Sequence, residues 1–243
     1  MLNAILLSTM SVVLTVIGVS TFGLSQHYLT VLAVAIPALW LLPQGGLSSV
    51  LLLCGIGAYS AALPYQPLAL SVSLLVMLPV FSVSFSSKAN WQVGALLFAI
   101  VIAMDAGLLA LQGDGKLGGQ MSFTLLQIMA VGLIWCAGHF WRPVKGNYGL
   151  PLLLAVPLWL SDLAPAALVV LCIIGLILAL QTLYQRYTLD WVTRLSWVLP
   201  AVAFAAVAID PAFDVPNPVL VSWLMVLGSA ILGEYLLAEV EDA

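Results

Sequence analysis

Asp105 is the acid set most deeply in apolar sequence, between Ala103-Met104 and Ala106-Gly107. An ionised carboxylate at the centre of a membrane helix costs about 2.5–3.5 kcal/mol on insertion scales, so a carboxyl placed there is protonated, paired or facing water. Two chemistries fit. Asp105 is either a proton- or cation-coupling carboxylate, or a neutral, hydrogen-bonded acid near the outer end of its segment, seven residues before Gln112. Pro37, Pro79, Pro157 and Pro200 also stand inside apolar runs. Each removes one backbone hydrogen bond and crowds the carbonyl one turn back, and in lipid that carbonyl must find another partner. Such breaks either build a transport site or kink helices for packing. Gln127 and Gln181 are amides within apolar runs that need partners, as ligand groups or as helix–helix clasps.

Other polar residues carry weaker signals. Asp162, beside Pro165, and Asp210 and Asp214, flanking Pro211, fall between apolar runs. They read as an external acidic vestibule that attracts cations, or as ordinary solvated loop residues. Glu234 follows Gly233 near the end of the last run, where its carboxylate is expected to reach the headgroup region. Hydroxyls are dense at Ser8, Thr9, Ser11, Thr15, Ser20 and Thr21, and again at Ser71, Ser73, Ser82 and Ser84. They are expected to join helices. Cys54, Cys136 and Cys172 show neither CxxC nor Cys/His spacing and read as small buried hydrophobes. His27 and His139 fall at opposite membrane faces, so they cannot share a metal or a haem. Paired glutamates, HExxH, GxxxxGK[ST] and Ser/His/Asp arrangements are missing from the sequence. The expectation is therefore a non-enzyme with no metal and no cofactor.

The elements holding these residues follow from composition. The chain has 243 residues, 63% apolar and 7% charged, with a mean hydropathy of +1.18. Soluble domains carry about 25% charged residues, so a soluble enzyme and a nucleic-acid binder are excluded, and six Lys/Arg make no nucleic-acid footprint. Ten apolar segments lie between turn residues: Ala4–Leu24, Tyr28–Leu42, Leu47–Leu63, Leu68–Phe85, Val93–Leu111, Met121–Trp141, Leu150–Leu160, Ala166–Tyr184, Ser196–Ile209 and Val219–Ala238. They are continuously apolar rather than alternating, which predicts an all-α polytopic membrane protein and not a β-barrel. Tyr28–Leu42 and Leu150–Leu160 are short for a hydrocarbon core of about 30 Å. The segments therefore form ten spans, or eight spans plus two re-entrant hairpins made by the second and third and by the seventh and eighth.

Even-numbered connectors carry Lys88, Arg142, Lys145, Arg186 and Arg194, whereas odd ones carry only Lys116 among Asp114, Asp162, Asp210 and Asp214. Positive residues stay inside, which predicts both termini in the cytoplasm and an inner-membrane or plasma-membrane location. Trp91, Trp141, Tyr148, Tyr187, Trp191 and Trp197 fall near the same connectors as an interfacial belt.

The two halves also match each other in order. Tyr28 meets Tyr148, Pro37 meets Pro157, and Trp40-Leu41 meets Trp159-Leu160. Leu53-Cys54 and Gly57 meet Leu171-Cys172 and Gly175, Tyr65-Gln66 meets Tyr184-Gln185, and Leu78-Pro79 meets Leu199-Pro200, at offsets from 118 to 121. This predicts a first membrane repeat over residues 1–120, a second over 121–238 and a short acidic cytoplasmic tail at 239–243. With five segments each, the repeats are inverted, an arrangement common in secondary transporters. The expected function is a carrier in the lipid bilayer for a small molecule or ion, proton- or cation-coupled through Asp105. The alternative is a non-catalytic subunit or scaffold of a larger membrane complex. A homo-oligomer or a membrane partner accords with either.

Overall fold

The structure is a computed structural model that describes residues 2–24, 29–42, 46–86, 89–141, 149–186 and 191–242. It is 86% helical, with no strand among the described residues. The helices are α1 (Leu2–Leu24), α2 (Leu29–Leu41), α3 (Gly46–Ala62), α4 (Leu68–Leu74), α5 (Met77–Ser84), α6 (Trp91–Gly113), α7 (Met121–His139), α8 (Gly149–Leu160), α9 (Ala164–Arg186), α10 (Trp191–Ile209) and α11 (Asn217–Asp242). Apolar sequence in lipid leaves the backbone no partner but itself, and helices satisfy it within one segment. Helix ends follow local chemistry. The Asn90 side chain accepts the Gln92 N–H at 3.1 Å to cap α6, and Pro165 and Pro218 occupy first turns, where a missing N–H costs nothing.

Among the described residues, five helical stretches are long and apolar enough to cross a membrane: Gly46–Tyr65, Trp91–Gly113, Met121–His139, Ala164–Arg186 and Asn217–Ala238. α3 and α9, which the sequence allows either as full spans or as halves of re-entrant hairpins, are among them. The short helices of those pairs are α2 and α8, of 13 and 12 residues. They rise ~18–20 Å, less than a hydrocarbon core. His27, Tyr28, Lys88, Arg142, Lys145, Tyr148 and Tyr187 lie outside the described residues.

The two most extensive helix–helix contacts are α3 with α7 and α1 with α9. Both use a glycine. A Cβ at Gly55 of α3 would fall 2.8 Å from Ile134 Cγ1 and 3.0 Å from the Ala130 carbonyl oxygen of α7. A Cβ at Gly175 of α9 would fall 2.8 Å from Leu14 Cδ1 of α1. α6 packs on α11, α10 on both α4 and α5, and α2 on α3, α8 and α9. Ile36, Trp40 and Leu41 of α2 are buried in a cluster with Val169, Val170 and Ile174 of α9, whereas the matching Trp159 and Leu160 of α8 face outward.

Two expectations are corrected. The hydroxyls of α1 do not join helices. Thr9, Ser11, Thr15, Ser20 and Thr21 each donate to the carbonyl four residues earlier at 2.7–2.9 Å, so α1 satisfies these five internally, while the Ser8 hydroxyl is buried without a partner among the described residues. Nor is Cys54 buried: it faces outward, Cys136 is half-buried, and only Cys172 sits in the interior.

Candidate functional site

Of the four intramembrane prolines, only Pro79 accompanies a break. α2 continues through Pro37, α8 through Pro157 and α10 through Pro200, so those three are kinks at most and not interruptions. The fourth segment instead divides into α4 and α5 around Leu75 and Val76. The Leu75 N–H donates to the Val72 carbonyl and the Val76 N–H to the Ser73 carbonyl, both at 3.1 Å, and Leu78 donates to Leu75 at 3.0 Å. These are tighter i to i+3 bonds, and Pro79 has no N–H to give Leu75. The Ser71 carbonyl, which an unbroken helix would pair with Leu75, accepts the Tyr59 hydroxyl of α3 at 2.6 Å. The Ser71 hydroxyl accepts Gln127 Nε2 of α7 at 2.9 Å. Gln127 is fully buried and its Oε1 is unpartnered among the described residues. Residues Ala69–Leu74 are all buried, so the break is held by α3 and α7 inside the bundle.

At the end where α4 begins, three buried side chains tie the α3–α4 connector to the α6–α7 connector. Gln66 Nε2 donates to the Gln120 carbonyl and, at 3.0 Å, to Thr124 Oγ1. Gln112 Nε2 donates to Gln66 Oε1 and to the Gly118 carbonyl, both at 3.1 Å, and Thr124 Oγ1 donates to Gln112 Oε1 at 2.7 Å. Gly119, at φ +87°, lies so close to the Gln66 amide that a side chain there would collide with it. Tyr65 stacks on Phe123 with ring centroids 4.5 Å apart. None of Gln66, Gln112 and Thr124 stood out in the sequence. The proline-flanked Gln66 was a local signal, but its partners lie 46 to 58 residues away.

Asp105 lies on the buried stripe of α6 with Gly94, Leu97, Val101, Leu108 and Gln112, and is 9% exposed. It forms no hydrogen bond or ion pair among the described residues. Val101 belongs to one apolar cluster and Leu108 to another, while Leu75 and Trp223 pack against both. Asp105 therefore sits at the level of the break. The Trp223 indole, stacked on Phe204 at 4.5 Å, has a buried N–H without a partner among the described residues.

At the end where α5 terminates, a cleft of about 250 Å³ opens between α5, α10 and α11, lined by Ser82, Ser86, Trp197, Glu234 and Leu237. Ser82 and Ser196 hydroxyls lie 2.7 Å apart across α5 and α10, and Ser82 also reaches the Leu78 carbonyl at 3.0 Å. α11 approaches closely because Gly233 has no side chain: a Cβ there would fall 2.9 Å from Leu97 and 3.3 Å from Val83. Glu234 is exposed and borders this cleft.

The remaining candidates do not join this line. Gln181 on α9 is buried with an unpartnered Nε2 among the described residues, in the packing of α9 against α1 and α10. Asp162 is exposed, in a left-handed turn (φ 59°) between α8 and α9. Asp210 accepts the Ala212 N–H at 2.9 Å, and Asp214 is exposed beside Phe213, which packs on the α4 cluster. Asp162 therefore belongs to a different group of helices from Asp210 and Asp214. His139 stacks on Trp135 at 5.2 Å. No group of three metal-ligating side chains occurs among the described residues. Comparison with known proteins finds no matching family, curated protein or solved structure.

Proposed function

We propose that the chain is an integral membrane carrier for a small solute, moved along the broken fourth segment and coupled to protons or cations through Asp105. The observation that carries the reading is the discontinuity between α4 and α5. A membrane-depth break survives only where protein or a cavity satisfies the freed backbone, and here the Tyr59 hydroxyl of α3 takes the Ser71 carbonyl while Gln127 of α7 holds the Ser71 side chain. Polar side chains border α4 and α5 from Gln66 at one end to the Glu234 cleft at the other, with Asp105 at the level of the break.

The reading includes two inverted five-segment repeats over residues 1–120 and 121–238, with ten segments in an inner or plasma membrane and both termini in the cytoplasm. The glycine contacts support it. Gly55 against Ile134 and Gly175 against Leu14 are one contact repeated at an offset of 120, with the roles of the halves exchanged. α2 and α8, by contrast, are unequally buried. The basic residues in even connectors support the orientation.

The test is uptake in reconstituted vesicles containing a proton-sensitive dye, against a panel of small cations, anions and neutral solutes. Wild-type protein should move one solute class with a pH-dependent rate, and Asp105→Asn should remove that dependence. Uptake by Asp105→Asn equal to wild type at every pH would refute the coupling role. A stoichiometric partner in the intact-mass spectrum, with no uptake of any solute, would support a membrane-complex subunit instead.

A further inference from the structure

Glu234, Trp197 and the end of α5 place three cation-attracting features around one small cleft, and we infer that this cleft binds a small organic ammonium ion. The inference rests on the carrier reading and names its substrate class. The Glu234 carboxylate lines the cleft and forms no ion pair or hydrogen bond among the described residues. Arg194, one turn before Trp197, is exposed and forms no ion pair with it among the described residues. The Trp197 indole lines the same space, and a Trp ring is the best aromatic partner for a cation. The third feature is the C-terminus of α5. Ser82, Val83 and Ser86 line the cleft at that helix end, where backbone carbonyls give the negative pole of the helix dipole.

Size and polarity narrow the occupant. A volume of about 250 Å³ lies just below the usual range of organic ligand pockets, about 300–1,000 Å³, and suits a molecule of few heavy atoms. Leu237 and Val83 make part of the wall apolar, which favours alkylated ammonium over a strongly hydrated metal ion. The Ser86 hydroxyl supplies a hydrogen-bonding group beside the charge site, while that of Ser82 is held by the Leu78 carbonyl and Ser196. A neutral molecule of the same shape would gain no attraction from the carboxylate, and an anion would be repelled by both the carboxylate and the helix end.

The experiment is calorimetric titration of the purified full-length protein with choline and with its neutral isostere 3,3-dimethyl-1-butanol, alongside vesicle uptake of choline. Choline should bind saturably at one site and the isostere at least tenfold more weakly. Glu234→Gln should weaken choline binding at least tenfold, and Trp197→Leu several-fold, at an unchanged melting temperature. Should Glu234→Gln fail to fold, Ser86→Ala with Trp197→Leu carries the test through the other wall. Equal affinity for choline and its isostere, or unaltered choline binding in these variants, overturns the assignment. Binding of choline without its uptake keeps the cleft and refutes the carrier. Uptake of another solute without choline binding keeps the carrier and refutes the cleft.

Discussion

At the scale of single residues, the glycines at helix crossings are where one methyl group decides most. Gly55 meets both a side chain, Ile134, and a backbone oxygen, that of Ala130, whereas Gly175 meets only the flexible end of Leu14. Backbone cannot swing aside as a leucine methyl can. Overpacking costs about 1–3 kcal/mol, and replacing a mid-helix glycine by alanine returns about 1 kcal/mol of helix propensity. Gly55→Ala should therefore lose about 1 kcal/mol net, and Gly175→Ala should be close to neutral. Gly107→Ala, where nothing lies within 4 Å of the added atom, should gain up to about 1 kcal/mol. Denaturant unfolding in mixed micelles ranks the three, and a Gly55→Ala protein as stable as wild type would contradict the close approach. Sequence made some of these positions legible and others not. Asp105 stood out because charge is scarce, and it does lie on a buried stripe. The self-match paired Gly57 with Gly175, yet the contact repeats from Gly55, two residues away. Matching letters does not fix which face of a helix turns inward.

Among the elements, the fourth segment differs from every other proline-bearing one, and proline alone does not explain it. α10 carries Pro200 without interruption, although Leu199-Pro200 repeats Leu78-Pro79. A missing N–H removes one bond in either case, so the outcome depends on what else can take the freed carbonyls. At the break the Leu75 carbonyl takes the Leu78 N–H and the Ser71 carbonyl takes the Tyr59 hydroxyl, while Gln127 holds the Ser71 side chain; neither Tyr59 nor Gln127 was readable as a partner because each comes from another helix. The cleft was hidden for the same reason: Ser82, Trp197 and Glu234 lie on three helices. Restoring the donor with Pro79→Ala should let α4 and α5 join, holding or raising the melting temperature and abolishing uptake of the carried solute. Pro37→Ala and Pro157→Ala should leave uptake intact, since α2 and α8 already run through their prolines. Wild-type uptake by Pro79→Ala would remove the break from the mechanism. Tyr59→Phe probes the same point from outside, at a cost near 0.6 kcal/mol and below about 1.7, the range measured for hydrogen bonds between membrane helices.

For the whole molecule, the decisive feature is how the two halves of the chain interlock. α1 lies on α9, α3 on α7, α6 on α11, and α4 and α5 on α10. Each of these pairs joins residues 1–120 to residues 121–243. Within the first half, the contacts of α2 with α3 and of α5 with α6 are less extensive than those of α3 with α7, α1 with α9 and α6 with α11, so that half by itself would leave the glycine face of α3 and much of the buried stripe of α6 without partners. Asp105 would then face lipid, where an unpaired polar group is costly. Residues 1–120 expressed alone should therefore aggregate or be degraded, and so should residues 121–243. Co-expressed on separate chains, the halves should co-purify one to one, with the melting behaviour of the intact protein. Gly55→Leu in the first half should disrupt that association, because a bulky side chain there meets the Ala130 backbone of the second. Stable, monodisperse first halves would contradict the interlocked arrangement. Association unaffected by Gly55→Leu would instead remove the α3–α7 crossing from the interface that holds the halves together.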